Sequence, residues 1–266
     1  MSLLSVSGVT QRFGGLTAVD NVSFSIAAGE VSAIIGPNGA GKTTLFNLIS
    51  GFQAPVAGNI TFDGQAITGL PPHRVAARGL VRTFQLVQLF PDLSAQQNVE
   101  AGCHLRGSGG LWAALARTPR ARRELAEATQ VAHELLAFVG LEARADLPAG
   151  ALTYGQQRLL EVARALAANP RLLLLDEPAA GLNAIETEHL AETIRAIIAR
   201  GVTVLLIEHD VSLVMRVARK IVVLDFGRKI AEGRPEEVKN DPAVLEAYLG
   251  GVDLAPGAMV AEAARA

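Results

Sequence analysis

Hydrophobic residues along this chain gather in two patterns. Residues 31–35, 172–175 and 202–207 form short, nearly unbroken apolar runs, the pattern of strands buried on both faces. The first leads into glycine-rich sequence and the other two end at acidic residues, as expected of strand ends that face a site. Between them, residues 43–50, 156–168 and 186–199 repeat apolar positions at helical spacing. Strands alternating with helices predict an α/β fold on a mostly parallel sheet.

The flanks differ. Residues 3–9, 22–27 and 59–63 are short alternating runs separated by Gly, Asn and Asp, which predicts an antiparallel β layer near the N-terminus. Residues 91–150 carry little strand signal, and 121–138 read as a helix, so a helical subdomain is expected over about 86–165. Residues 107–110 and Pro119 read as loops within it. Arg117, Arg120, Arg122 and Arg123 form a basic cluster, either a solvated helix face or a contact for acidic lipid or protein. Residues 251–266, rich in Ala, Gly and Pro, read as a flexible tail after one domain spanning 1–250. No internal repeat is evident.

Composition narrows this picture. With 266 residues, half of them hydrophobic, the chain can bury a large core. A net charge of −2 gives no global basic field, so nucleic acid is not an expected partner. The single cysteine, Cys103, reads as a buried thiol in a reducing compartment. Residues 1–8 lack a basic start followed by an apolar stretch, so no secretory signal is expected. The longest uncharged run, 43–62, is broken by Asn47, Gly51, Gln53, Pro55 and Gly58 and does not read as a spanning helix. Any membrane role is therefore expected to come through a partner.

The chemistry concentrates at the strand ends. After the 31–35 run come Gly36, Pro37, Asn38, Gly39, Ala40, Gly41, Lys42, Thr43 and Thr44, opening a helix. Glycines let backbone N–H groups turn onto phosphate oxygens, and the helix N-terminus adds a favourable dipole. Lys42 is expected on the β- and γ-phosphates, and the Thr43 hydroxyl on Mg2+. The 172–175 run ends in Asp176, a second candidate for Mg2+, and Glu177, a candidate general base for an attacking water. His209 follows the 202–207 run and could donate to a γ-phosphate. Gln85, after Arg82-Thr-Phe, could touch Mg2+ or the water. Alone, the histidine reads more readily as structural and the glutamine carries almost no information; the ensemble gives both their weight.

Leu152-Thr153-Tyr154-Gly155-Gln156 opens the 156–168 helix shortly before the Asp176-Glu177 strand end. At this point the chain resembles ATP-binding subunits of ABC transporters. From about residue 3 to 250 it carries the phosphate loop, the Gln85 loop, this signature, the strand-end carboxylates, the Ala180-Gly-Leu-Asn183 loop and the His209 switch in family order. The resemblance implies a P-loop NTPase fold of ABC type. It also implies hydrolysis of ATP with Mg2+, and a head-to-tail dimer with ATP between one subunit's phosphate loop and the other's signature. Phe13 stands where the family stacks an aromatic on adenine.

Tyr154 replaces a usual glycine, Thr153 a usual serine and Asn183 a usual aspartate. With Tyr248-Leu-Gly250, these variants resemble the branched-chain amino-acid uptake branch; urea or amide importers and lipopolysaccharide exporters remain alternatives, and a soluble non-transport ABC ATPase a distant one. The implied partners are membrane permease subunits, a second identical or paralogous ATPase subunit and, indirectly, an extracytoplasmic solute-binding protein. The implied place is the cytoplasmic face of the plasma membrane. Leu86, Val87, Leu89, Phe90 and Leu93 form an apolar cluster beside Gln85 that could receive a permease helix or serve as ordinary core.

Overall fold

A computed structural model describes residues 2–106 and 119–249. Its centre is a six-stranded sheet of β3 (Val31–Ile35), β6 (Leu80–Arg82), β7 (Leu172–Asp176), β8 (Thr203–Ile207), β9 (Lys220–Asp225) and β10 (Arg228–Gly233). The order is β10-β9-β3-β8-β7-β6, with every neighbour pair parallel except β10 on β9. All residues of β3, β7 and β8 are buried. This is the reason their sequences are continuously apolar and not alternating. Side chains nevertheless alternate between two cores. Leu173 and Leu175 face one, Leu172 and Leu174 the other. Each leucine so buried contributes about 1.5–3 kcal/mol.

One core lies under α3 (Ala95–Gly102), α4 (Pro119–Phe138), α5 (Tyr154–Ala167) and α6 (Ala184–Ala199). The other lies between the sheet, α1 (Lys42–Ile49) and a four-stranded antiparallel sheet. That second sheet has the order β2-β1-β4-β5 and consists of β1 (Ser2–Phe13), β2 (Leu16–Ala27), β4 (Ala57–Phe62) and β5 (Gln65–Ala66). Short helices α2 (Pro72–Ala77), α7 (Val211–Val217), α8 (Pro235–Lys239) and α9 (Pro242–Leu249), with 3-10 turns at Cys103–Arg106, Glu142–Arg144 and Ala149–Ala151, complete the helices of the described residues. No helix among them is long and apolar enough to cross a membrane.

Several boundaries differ from the sequence expectation. β1 and β2 are each 12 residues long, not the shorter 3–9 and 22–27. Their register shifts between Val6 and Val9, beside Gly8 and Asn21 at positive φ, and such bulges break the alternation that marks a strand. Asp63 belongs to a tight turn with Gly64, both at positive φ, and not to β4. Pro119 is the first residue of α4, a position where its missing N–H costs nothing. α5 begins at Tyr154, not Gln156, because Thr153 is its cap. Residues 107–110, Arg117 and 251–266 lie outside the described residues.

Candidate active site

The phosphate loop runs from the end of β3 to the start of α1. Two of its glycines are fixed by close approach. A Cβ on Gly36 would lie 2.1 Å from the Leu224 carbonyl oxygen of β9, and one on Gly41, at φ 94°, would lie 2.3 Å from that of Ala18 in β2. Gly41 caps α1 with no side-chain hydrogen bond, and the first turn holds no acidic residue. Its amides therefore have no side-chain acceptor of their own, and the N-terminus is suited to an anion. Lys42 is buried, and its Nζ donates to the carbonyls of Gly36 (2.7 Å) and Pro37 (2.9 Å). Burial lowers its pKa, while Glu177 and Asp176 act to raise it. Asn38, Gly39 and Thr43 are exposed, Pro37 and Thr44 half-buried and Ala40 buried. This donor set fits a polyphosphate.

The carboxylates stand at the end of β7, beside this loop. Asp176 Oδ2 is 2.7 Å from Arg82 Nη2, and both side chains are buried. Arg82 also donates to Asn47 (2.8 Å) and Ser50 (2.9 Å) of the α1 region, and its guanidinium lies 5.3–5.6 Å from the rings of Phe46, Phe52 and Phe84. Glu177 has φ 45°, a sparsely populated conformation for a side-chain-bearing residue, held by its N–H to Ile207 O at 2.9 Å. Gln85 Nε2 donates to Glu177 Oε2 at 2.9 Å, and His209 Nδ1 lies 3.7 Å from the same oxygen. Glu208, fully buried, accepts from the N–H groups of Ala179 (2.7 Å), His209 (3.0 Å) and Asp210 (3.3 Å). Burial raises its pKa against those hydrogen bonds.

Thus Gln85 and His209 converge on one carboxylate oxygen of Glu177, and Lys42 lies within electrostatic reach of Glu177 and Asp176. Sequence reasoning missed Arg82 and Glu208 as organisers of this cluster. Arg82 was legible only as the cation three residues before Gln85, and Glu208 as an acid closing an apolar strand.

The signature turn is built from its own side chains. Thr153 Oγ1 accepts from Gln156 N–H (3.4 Å), and Gln156 Oε1 accepts from Thr153 N–H (3.1 Å), a reciprocal cap on α5. Leu152 is buried. A Cβ on Gly155 would lie 2.4 Å from Glu186 Oε1, so this glycine lets α5 approach α6. Asn183 caps α6, accepting from the N–H groups of Ile185 and Glu186, both at 3.0 Å. Tyr154 is partly exposed, close to Gly181 and 5.4 Å from the Arg158 guanidinium. Phe13 stands half-exposed at the end of β1, opposite Leu16.

The ABC transporter family model matches residues 19–180 of this chain. The chain belongs to the ABC transporter family. Residues 228–253 also match the model of the branched-chain amino acid ATP-binding cassette transporter. The chain is 47% identical over 253 residues to the high-affinity branched-chain amino acid transport ATP-binding protein BraF of Pseudomonas aeruginosa, covering 93% of this chain and 98% of that one. Its fold is similar to the ADP conformation of MJ1267, an ATP-binding cassette of an ABC transporter. The TM-score is 0.82 at 33% identity, over 94% of this chain and 99% of that one. It is also similar to the dimeric post-hydrolysis state of the cassette MJ0796 bound to ADP and Pi. There the TM-score is 0.73 at 26% identity, over 87% and 98% of the two chains.

In this cassette the stretch after Gln85 divides by exposure. Phe90 is 53% exposed, and Leu86 and Leu93 are exposed too, whereas Val87 is half-buried and Leu89 packs against the helical-side core. Leu89 is thus a core residue and leaves the candidate docking set. Phe90 borders an open cavity of about 430 Å³, lined also by Val81, Thr83, Gly102, His104 and Arg164. Tyr248 packs against the same core, and burial pushes its phenol up to about 12.

Proposed function

We propose that this cassette is the ATP-hydrolysing motor of a branched-chain amino-acid importer, acting from the cytoplasmic face of the membrane. One observation carries the hydrolytic part: Glu177 sits beside the phosphate loop with its carboxylate oxygen bonded to Gln85 and 3.7 Å from His209. A carboxylate there can accept a proton from an attacking water that the Gln85 amide orients. His209 can donate to the transferring phosphoryl group. Lys42, drawn off the loop carbonyls it now contacts, would bind β- and γ-phosphate oxygens, with the amides of residues 39–44 around them. Phe13 would stack on adenine.

The donor set also fits Mg2+: Thr43 and the free oxygen of Asp176 supply hard oxygen ligands, Gln85 a further one, and substrate phosphates would complete the shell. The ion supplies charge neutralisation on the phosphates when bound.

The dimeric state of MJ0796 supports a head-to-tail pair here, with Leu152–Gln156 of one subunit facing the other's phosphate loop. The second subunit would be a copy or a paralogue. The Phe90 cavity would receive a permease subunit, and an extracytoplasmic binding protein would deliver the solute. The likeness to BraF supports branched-chain amino acids. The test is uptake into proteoliposomes holding this chain with its permease subunits and solute-binding protein. ATP-dependent uptake of radiolabelled leucine, isoleucine or valine is expected; uptake of urea but of none of these three would overturn the assignment.

A further inference from the structure

The loop carrying Gln85 has little hold on itself. Residues 84–89 make no backbone–backbone hydrogen bond among the described residues. Their course is set by side chains reaching in from α5. Arg158, one turn beyond Tyr154, donates from Nη1 to Phe84 O at 2.9 Å and from Nη2 to Gln85 O. Glu161, on the same face of α5, accepts from Gln88 N–H at 3.2 Å and pairs with Arg158 at 3.4 Å, both side chains buried. A planar guanidinium holds two neighbouring carbonyls from two nitrogens in a fixed fork, whereas an ammonium reaches its acceptors from one freely rotating point and fixes their geometry less. Within the signature, Tyr154 lies close to both Arg158 and Gly181 of the loop after Glu177. A continuous chain of contacts therefore runs from the signature turn through Arg158 to the Gln85 backbone, and from the Gln85 amide to Glu177 at 2.9 Å.

We propose that Arg158 is a positioning residue for hydrolysis: from the signature helix it fixes the Phe84–Gln85 backbone and so presents the Gln85 amide to Glu177. It touches neither nucleotide nor water. Its consequence is that any shift of the signature turn is passed to the hydrolytic carboxylate of the same chain through two hydrogen bonds. The proposal rests on the reading of Glu177 as the hydrolytic base with Gln85 as its partner.

A double-mutant cycle on the full-length chain tests it, with Mg-ATP hydrolysis followed by phosphate release. Arg158→Lys keeps a positive charge opposite Glu161 but loses the fork. It is expected to lower kcat about 10-fold or more, leave KM for ATP within about twofold and keep Tm near that of the parent. Because both residues act through one hydrogen bond to Glu177, Arg158→Lys combined with Gln85→Ala should be no slower than the slower single variant. A residue that merely packs α5 would lower Tm, and its loss would multiply with that of Gln85→Ala. Multiplicative losses, or an unchanged kcat in Arg158→Lys, would overturn the proposal. Should Arg158→Lys lower Tm, the same cycle is run with Arg158→Met in a Glu161→Gln background, compared with Glu161→Gln alone, which leaves no unpaired buried charge; the criteria are unchanged. The two readings separate cleanly. Normal turnover in Glu177→Gln would refute the hydrolytic site itself, and a parental rate in Gln85→Ala would refute the role of Gln85 and with it that of Arg158. Additive losses with Gln85→Ala impaired would refute Arg158 alone.

Discussion

Lys42 shows how a binding site sets charge against stability. Its ammonium is buried on two carbonyls, and burial lowers its pKa below the usual lysine value. A depressed pKa means that the fold disfavours the charged form relative to the unfolded chain. The group's stabilising contribution belongs above the unfolded pKa and is lost as pH falls through the folded one, so at neutral pH the charge is a cost. Lys42→Met is therefore expected to leave the Tm of the nucleotide-free protein equal or higher, while ATP affinity by titration falls at least about 10-fold. A lower Tm with unchanged affinity would contradict this account. The residues proposed to contact phosphate and water were legible because that chemistry demands particular types at fixed spacing. Arg82 and Arg158 were not, because the groups they hold are far away in sequence; Glu208 bonds its neighbours His209 and Asp210, but its tie to Ala179 is equally non-local. Arg82 meets Asp176 only because β6 lies beside β7, and no local pattern encodes that neighbour.

At the scale of elements, caps decide where the site's helices begin. Asn183 stands at a position where the family usually has aspartate. The fold gives it a local role. Its side chain accepts from two N–H groups of the first turn of α6, and Glu186 returns the bond. Aspartate does this equally well. Asn183→Ala should cost about 1 kcal/mol, lowering Tm of the isolated chain by ~2–4 °C, and Asn183→Asp should restore it. Equal Tm values for Ala, Asp and the parent would show that the cap carries no stability. Strands β3, β7 and β8 and helices α1, α4, α5 and α6 were readable to within a few residues, since burial on two faces or one imposes their periodicity, whereas β9, also parallel and mostly buried, was not read. The hairpin β1–β2 was read short because its bulges interrupt that periodicity, and β6, three residues long, has no room to show one.

For the whole molecule, an α/β core with an added β layer was foreseeable from the order of apolar runs, whereas the strand order that brings the Gln85, Glu177 and His209 segments to one place was not. The same arrangement sets the Phe90 cavity next to the Gln85 loop. Phe90→Asp should prevent pull-down of the permease and abolish transport, yet leave Tm and ATP affinity of the isolated chain near the parent's, because the ring is already half in solvent and a charge in a docking groove resists desolvation. Loss of Tm instead would make Phe90 a core residue, and normal pull-down would remove the docking surface. The most direct test of the motor itself is Glu177→Gln. The substitution removes the base while leaving the Lys42, Asp176 and phosphate-loop contacts in place. Turnover should fall about 100-fold or more, ATP should still bind, and an ATP-bound dimer should accumulate on size-exclusion chromatography in Mg-ATP. Turnover near the parent's, with no dimer trapped, would contradict the account.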